Sequence, residues 1–272
     1  MEHTKIIYLN LMIENLTTYK YFTLQLVKKH IVNQYKQTIL GPSLQILNPF
    51  LQSGLFAIIF GKILDINTDG VPNLLYYLVS VTLFNFYRTA TLKSSIIFTS
   101  YATLFKSFYF PKILMSISII LESIILYFFQ FFIMLIILFI FYGELISISY
   151  FNVLISIIPL AQYALVALAT GMILSSLTFK YRDLVNFISY IMQGLFFLTP
   201  VIYSSSKIID NYEWFFHLNP LFYSIKYFKY LFFATDHPEI KYLYSNLTVT
   251  FILLLIALKL FSYADKRFDD FT

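Results

Sequence analysis

The chain has 272 residues, 59% of them hydrophobic and 12% charged, with a net charge of +5 and a mean hydropathy of +0.74. Soluble domains carry about 25% charged residues, so too little polar surface is present here to cover a water-soluble fold. The sequence has no cysteine, which excludes a disulfide framework and thiolate metal sites. An all-α polytopic membrane protein is what remains, because a spanning helix needs about 20 apolar residues and satisfies its own backbone hydrogen bonds.

Residues 1–43 read as a cytoplasmic, interfacial region. Ile6, Leu9, Ile13 and Leu16 recur at helical spacing, and then Leu24, Val27, Ile31 and Tyr35 oppose Lys28, Lys29, Asn33 and Lys36. That pattern predicts an amphipathic helix with its apolar face in the headgroups and its basic face toward anionic lipid. A short soluble helical domain is the alternative. Charges spread through these residues, which is not the pattern of a cleavable signal. At Gly41-Pro42 the chain bends, and Asn48-Pro49 is expected to relax the helix just inside the membrane.

The transmembrane domain, residues 44–263, holds six apolar spans: about 44–61, 73–90, 113–141, 151–177, 184–203 and 245–263. A short tail, 264–272, follows. The third span is about 29 residues long and must tilt or protrude. With the N-terminus inside, thirteen of the nineteen Lys and Arg fall in internal segments, among them Lys28, Lys29, Lys93, Lys106, Lys112, Lys180 and Arg182. Both termini are therefore predicted to be cytoplasmic.

Two connections are too long to be turns. The loop 91–112 is cytoplasmic and mixes basic residues with Ile96, Ile97, Phe98, Tyr101, Leu104 and Phe105. Those apolar residues cannot all face water, so the loop is expected to need a protein partner or the membrane. The segment 204–244 is external and rich in aromatics, including Trp214, Phe222, Tyr223 and Phe228. It is predicted to dip back toward the bilayer as short re-entrant helices broken at Asn219-Pro220. Trp and Tyr at headgroup depth explain part of that composition.

Chemistry-bearing motifs are sparse. No Gly-x-x-x-x-Gly-Lys-Ser/Thr loop occurs, so nucleotide phosphates are not held by that route. His217 and His237 share the external segment with Asp210, Glu213, Asp236 and Glu239, at spacings that match no metal-ligand pattern. Glu122 is the one acid well inside an apolar run, where a charge faces either a partner or a pathway. It lies ten residues beyond Lys112, about 15 Å along a helix.

Five elements in register carry a family resemblance. Gln34-Tyr-Lys-Gln-Thr-Ile-Leu-Gly41, followed by Asn48-Pro49, resembles the first-span signature of ABC-2 type exporter permeases, particularly those for O-antigen, teichoic acid and capsular polysaccharide. Ser107-Phe-Tyr-Phe-Pro-Lys112 is similar to the Phe-Pro element where the cytoplasmic loop enters span three. Lys180-Tyr-Arg-Asp-Leu184 resembles the Arg-Asp motif of the second cytoplasmic loop, with Arg182 and Asp183 as its charged pair. Leu198-Thr-Pro-Val-Ile-Tyr-Ser204 and Leu218-Asn-Pro-Leu221 resemble the external re-entrant region. Leu44 stands where the family often has Trp, and the proline often found near Met115 is missing.

The resemblance implies a half-transporter in the bacterial cytoplasmic membrane that is not itself an enzyme and binds no cofactor. A homodimer would form the pathway, and a separate ABC ATPase subunit would carry ATP-Mg. The cargo would be lipid-linked polysaccharide, with O-antigen-like glycans ahead of teichoic acid, capsule, drugs or lipids because of the Tyr-Lys-Gln-Thr element; membrane lipid is a further contact and nucleic acid is not a partner. Ile97, Phe98, Tyr101, Leu104, Phe105 and Lys106 would form the ATPase-coupling loop. Pro200, Tyr203, Trp214, Asn219 and Pro220 would form the external gate. Aromatic faces suit a sliding sugar polymer, which makes Phe50, Phe56, Phe60, Tyr190, Phe196 and Phe197 candidates for lining the path. A polytopic lipid-glycan transferase would need clustered acids or histidines on one membrane face. A secondary carrier would show internal repeats and several intramembrane charges.

Overall fold

The computed structural model describes residues 19–36, 41–107, 110–142, 150–181, 183–204, 219–235 and 240–268. Among them every regular element is a helix. In chain order these are α1 (Lys20–Tyr35), α2 (Gly41–Phe56, continued by a π-helical segment Ala57–Ile63), α3 (Asn73–Ser95), α4 (Ile97–Ser100), α5 (Ala102–Ser107) and α6 (Ile113–Tyr142). Then come α7 (Tyr150–Ile155), α8 (Ile157–Thr178), α9 (Leu184–Leu198), α10 (Pro220–Phe233) and α11 (Ile240–Arg267). Five of the six predicted apolar stretches are helical throughout or nearly so, and the fifth, 184–203, is helical only to Leu198. Among the described residues four helices are long and apolar enough to cross a membrane, within Ser43–Ile63, Ile113–Ile140, Phe151–Thr178 and Tyr242–Arg267, while Leu184–Leu198 is a shorter apolar helix.

Local chemistry explains the boundaries. Asn219 caps α10, its side chain accepting from the Leu221 N–H at 3.0 Å, and Pro220 occupies the first helical position, where a missing N–H costs nothing. Ala234 ends α10 in the left-handed region at φ 54°. Pro159, in the first turn of α8, has no N–H to continue the ladder from α7, and the chain breaks between them at Ser156.

Pro49 acts differently from expectation: α2 runs unbroken through it. A proline leaves the carbonyl four residues earlier without its donor. Here that is the Gln45 carbonyl, which instead accepts from Gln130 Nε2 of α6 at 3.0 Å. The departure from α-helical geometry comes later, in the π-helical segment, where Gly61 sits so close to Asn73 that a Cβ would overlap its side chain.

Burial and polarity run opposite to those of a soluble protein. Helix α3 is buried nearly all round and packs on α2, α6 and α8, yet it carries Ser80, Thr82, Thr91 and Ser94 in its interior. Ser80 and Thr82 donate to the carbonyls one turn back, at 2.9 and 2.6 Å. By contrast α6 exposes Phe128, Phe129, Phe132 and Phe139, the last at 81%. Hydrocarbon is the solvent that tolerates such a surface, and small residues inside let backbones approach. Gly171 of α8 meets Ser94 of α3 so closely that an added Cβ would sit on the serine side chain. The chain is a multi-pass membrane protein.

The loop after α3 corrects one expectation. Ile97, Phe98 and Phe105 need no outside partner, because they are buried in the chain's own second core with Phe110, Met172, Phe261 and Phe268. Phe98 alone makes ring contacts with Phe105, Phe179, Phe261 and Phe268 at 5.1–6.1 Å between centroids. Lys112 closes this core, pairing with Asp265 at 2.6 Å and lying 4.9 Å over the Phe268 ring. Helix α1 also turns differently from its wheel: Thr23, Leu26, Val27 and His30 face the protein, and Tyr21, Leu24 and Val32 are left exposed. The N-terminal pattern Ile6–Leu16 and the tail 269–272 lie outside the described residues.

Candidate functional site

Two polar clusters occupy opposite ends of α3. At its Ser95 end, Glu122 of α6 is almost fully buried, with a side chain 3% exposed. Lys93 Nζ of α3 donates to its Oε1 at 2.6 Å, and His30 Nδ1 of α1 stands 3.5 Å from Oε2 without completing a hydrogen bond. Lys93 also donates to Gln34 Oε1 of α1 at 3.0 Å, and Gln34 Nε2 donates to Gln45 Oε1 of α2 at 2.6 Å. Since the Gln45 carbonyl takes a bond from Gln130, the chain of contacts returns to α6. Four helices are thus tied in one polar ring. Tyr101 flanks it, its ring 5.5 Å from that of His30, and burial together with the Glu122 charge pushes its phenol above the usual range.

At the Asn73 end the chain turns after α9. Lys229 of α10, 1% exposed, donates to the Pro200 carbonyl at 2.5 Å and lies 3.6 Å over the Tyr76 ring of α3. Tyr76 Oη donates to the Tyr203 carbonyl at 2.8 Å, and Tyr203 Oη donates to the Phe197 carbonyl at 3.1 Å. Asn219 Nδ2 reaches the Leu198 carbonyl and Thr199 Oγ1, each at 3.4 Å. Ser204 Oγ donates to Asp69 Oδ2, which joins the turn before α3 to the same knot. A cation here is held by a carbonyl dipole and a ring face, both favourable in low dielectric.

The structure brings some predicted residues together and separates others. Pro200, Tyr203, Asn219 and Pro220 meet in the second cluster, whereas Trp214 lies outside the described residues. Of the path candidates, Phe196 is buried, tilted against Phe56 at 5.5 Å and edge-on to Phe84 at 5.1 Å, so it joins α2, α3 and α9 rather than lining a surface. Phe50, Phe56 and Phe60 pack partly against the same core. Tyr190 and Phe197 point away from it, 68% and 60% exposed. In the coupling loop Tyr101 and Leu104 are half-buried and Lys106 is exposed. Asp183 caps α9 by position, without a side-chain hydrogen bond, and Arg182 lies outside the described residues.

Helix α9 is attached along one stripe only, Ile188, Met192 and Phe196, spaced four residues apart. Its remaining surface mixes Asn186, Gln193 and Gly194 with Tyr190 and Phe197. A face meant for lipid alone would be uniformly apolar. The ABC-2 type transporter family profile matches residues 21–233, which include both clusters and α9.

The chain belongs to the ABC-2 type transporter family.

Two relatives from Klebsiella pneumoniae, each described as O-antigen export system permease protein RfbA, are 27% and 25% identical to this ABC-2 chain over 250 residues. Each alignment covers 90% of this chain and 92% of the relative.

Sequence reasoning missed three members of these sites. Lys229 reads as one more basic residue in an external segment, although its place on the α10 face beside Phe228 and Phe232 is a signal that it is buried. His30 carries no signal in the sequence that sets it apart. Lys93 reads only as an internal charge, and its distance from Glu122, 29 residues along the chain, hides the pairing. Among the described residues, no group of three His, Cys, Asp or Glu stands close enough to hold a metal ion.

Proposed function

We propose that this chain is the membrane subunit of an ATP-driven exporter that moves lipid-linked, O-antigen-like polysaccharide across the bacterial cytoplasmic membrane. The observation that carries this reading is the uncovered, mixed aromatic and polar face of α9, beside α2. The names of the two Klebsiella relatives support the cargo class. Two copies close the pathway around these faces, with Tyr190 and Phe197 presenting stacking surfaces to the sugar chain. The aromatic ring offers apolar area with weak directionality, so the polymer slides instead of binding in one register.

In this reading the chain crosses six times, α3 and α9 included, with both ends in the cytoplasm, as its Lys and Arg placement favours. The α4–α5 loop then faces a separate ATPase subunit, which binds ATP-Mg. Because Phe98 and Phe105 are committed to the chain's own core, the contact falls to the outward side, Ser100, Thr103, Lys106 and Ser107. The Pro200–Asn219–Lys229 cluster is the external gate, and α1 lies at the headgroups through Tyr21, Leu24 and Val32.

Co-expression with an ABC ATPase subunit tests this. The two should co-purify, ATP turnover should require both, and vesicles carrying them should translocate a lipid-linked glycan. Replacing Tyr190 and Phe197 together by Ala should slow translocation while leaving co-purification intact, since neither side chain holds the fold. Unchanged translocation would remove the path assignment. Modification of a lipid-linked sugar by the chain alone, without ATP, would overturn the exporter reading.

A further inference from the structure

A cleft of about 250 Å³ opens between α2, α3 and α6, next to the polar ring at the Ser95 end of α3. Its polar lining includes Gln45 and Asn48 of α2, Asn85, Arg88 and Thr89 of α3, and Ser123, Tyr127 and Gln130 of α6. Arg88 is the one charged residue of that lining, and no acid faces it there. Among the described residues its guanidinium makes no ion pair or hydrogen bond. The nearby carboxylate, Glu122, is engaged by Lys93.

An arginine in the membrane-embedded part of a helix needs an anion or a route to water. Planar and always charged, it binds phosphate through two parallel N–H bonds. The amides around it add neutral donors. Asn85 spends one N–H on Gln52 at 3.0 Å, and Asn48 makes no hydrogen bond among the described residues. Depth agrees: Arg88 stands seven residues before the end of α3, about 10 Å along the axis, and Gln45 and Asn48 lie in the first two turns of α2. In the six-span reading, with spans of about 73–90 and 44–61, these residues stand near the inner headgroup boundary. The same two flanking helices expose Leu44, Leu47 and Leu51 on α2 and Leu121, Ile125 and Phe129 on α6, surfaces suited to acyl chains.

The geometry points to a binding site for the phosphate headgroup of an anionic lipid, with Arg88 as the anion ligand and Asn48, Asn85 and Gln130 as its amide collar. The site rests on the six-span topology proposed above and not on the cargo, so its failure and that of the export reading are distinguishable. The phosphate belongs either to bulk membrane lipid or to a lipid-linked glycan, and both present the same chemistry to Arg88.

Lipid adducts on the purified full chain test this by native mass spectrometry, alongside thermal unfolding in detergent with added phosphatidylglycerol, phosphatidylcholine, a lipid-linked glycan or inorganic phosphate. Wild-type protein should retain and be stabilised by phosphatidylglycerol over phosphatidylcholine. Arg88→Gln should weaken that by about tenfold, with Arg88→Lys between, because a lysine keeps the charge and loses the bidentate geometry. Lys259→Gln removes an exposed charge on α11 and should change nothing. Should Arg88→Gln fail to fold, Asn48→Leu removes a collar residue with no bond to lose and should weaken binding in the same direction. Displacement of phosphatidylglycerol by the lipid-linked glycan would identify cargo as the source, and persistence would identify membrane lipid. Equal affinity in wild type, Arg88→Gln and Asn48→Leu would overturn the site, and equal stabilisation by inorganic phosphate alone would overturn the lipid.

Discussion

The two ends of α3 each hold a lysine in a different way, Lys93 half-buried and Lys229 fully buried. At the Ser95 end Lys93 meets a full counter-charge on Glu122, with Gln34 and His30 around it. At the Asn73 end Lys229 rests on the Pro200 carbonyl and the Tyr76 ring. The first joins helices packed along much of their length, so losing either partner leaves an uncompensated charge in low dielectric. The second joins a helix to a turn, and its partners among the described residues include a carbonyl dipole and a ring face. A lock and a latch are the physical difference, and the proposed coupling and gate ends of a transporter call for one of each.

The largest effect is expected from Lys93→Met, which strands a carboxylate that is 3% exposed. Breaking a buried pair from one side costs roughly 3–5 kcal/mol. Thermal unfolding in detergent should fall steeply, and the double variant Lys93→Met with Glu122→Leu should recover most of the loss. A double variant no more stable than Lys93→Met would show that the helices need the ion pair itself.

Lys229→Met comes next, removing one charge-assisted bond and a cation–π contact at a cost of about 2 kcal/mol. If the latch description holds, proteolytic cleavage near residues 200–204 should rise more than the unfolding temperature falls. A loss as large as that of Lys93→Met would erase the distinction between the two ends. Asn219→Ala removes the α10 cap and its contacts to Leu198 and Thr199, and should cost about 1 kcal/mol.

Gln130→Leu is expected to be the mildest. It frees the Gln45 carbonyl that Pro49 has already left without a helical donor. Interhelical hydrogen bonds in membranes average about 0.6 kcal/mol in double-mutant cycles. An unfolding shift at the edge of detection is the expected result, and a loss above that of Asn219→Ala would mean that the ring, not the ion pair, carries the lock.

Much of this architecture was legible in the residues. The six apolar stretches carry helices, the fifth only as far as Leu198, Asn219-Pro220 started α10 where capping chemistry places a start, and the long third stretch became one 30-residue helix. The motif residues Gln34, Pro200, Tyr203 and Asn219 landed in the two polar clusters. What misled was exposure. The apolar residues of the α4–α5 loop looked as if they needed an outside partner, because beyond Phe105 the cover of Phe98 is distant in sequence, from Phe179 just after α8 and Phe261 of α11. Phe196 looked like its neighbour Phe197, and the four-residue stripe of α9 sends one inward and the other out.

The sequence by itself determined the solvent, the helix limits and the places where the backbone must break, because hydropathy, proline and capping act within a few residues. Tertiary structure alone decided which helix is the interior one, and α3 earned that place while carrying hydroxyls, Arg88 and Lys93. It also decided that Glu122 answers to Lys93, that Pro49 hands a carbonyl to Gln130, and that Arg88 is left facing a cleft. Periodicity states which residues share a face. What that face meets depends on how each helix is rotated against neighbours tens of residues away, and only packing sets that angle.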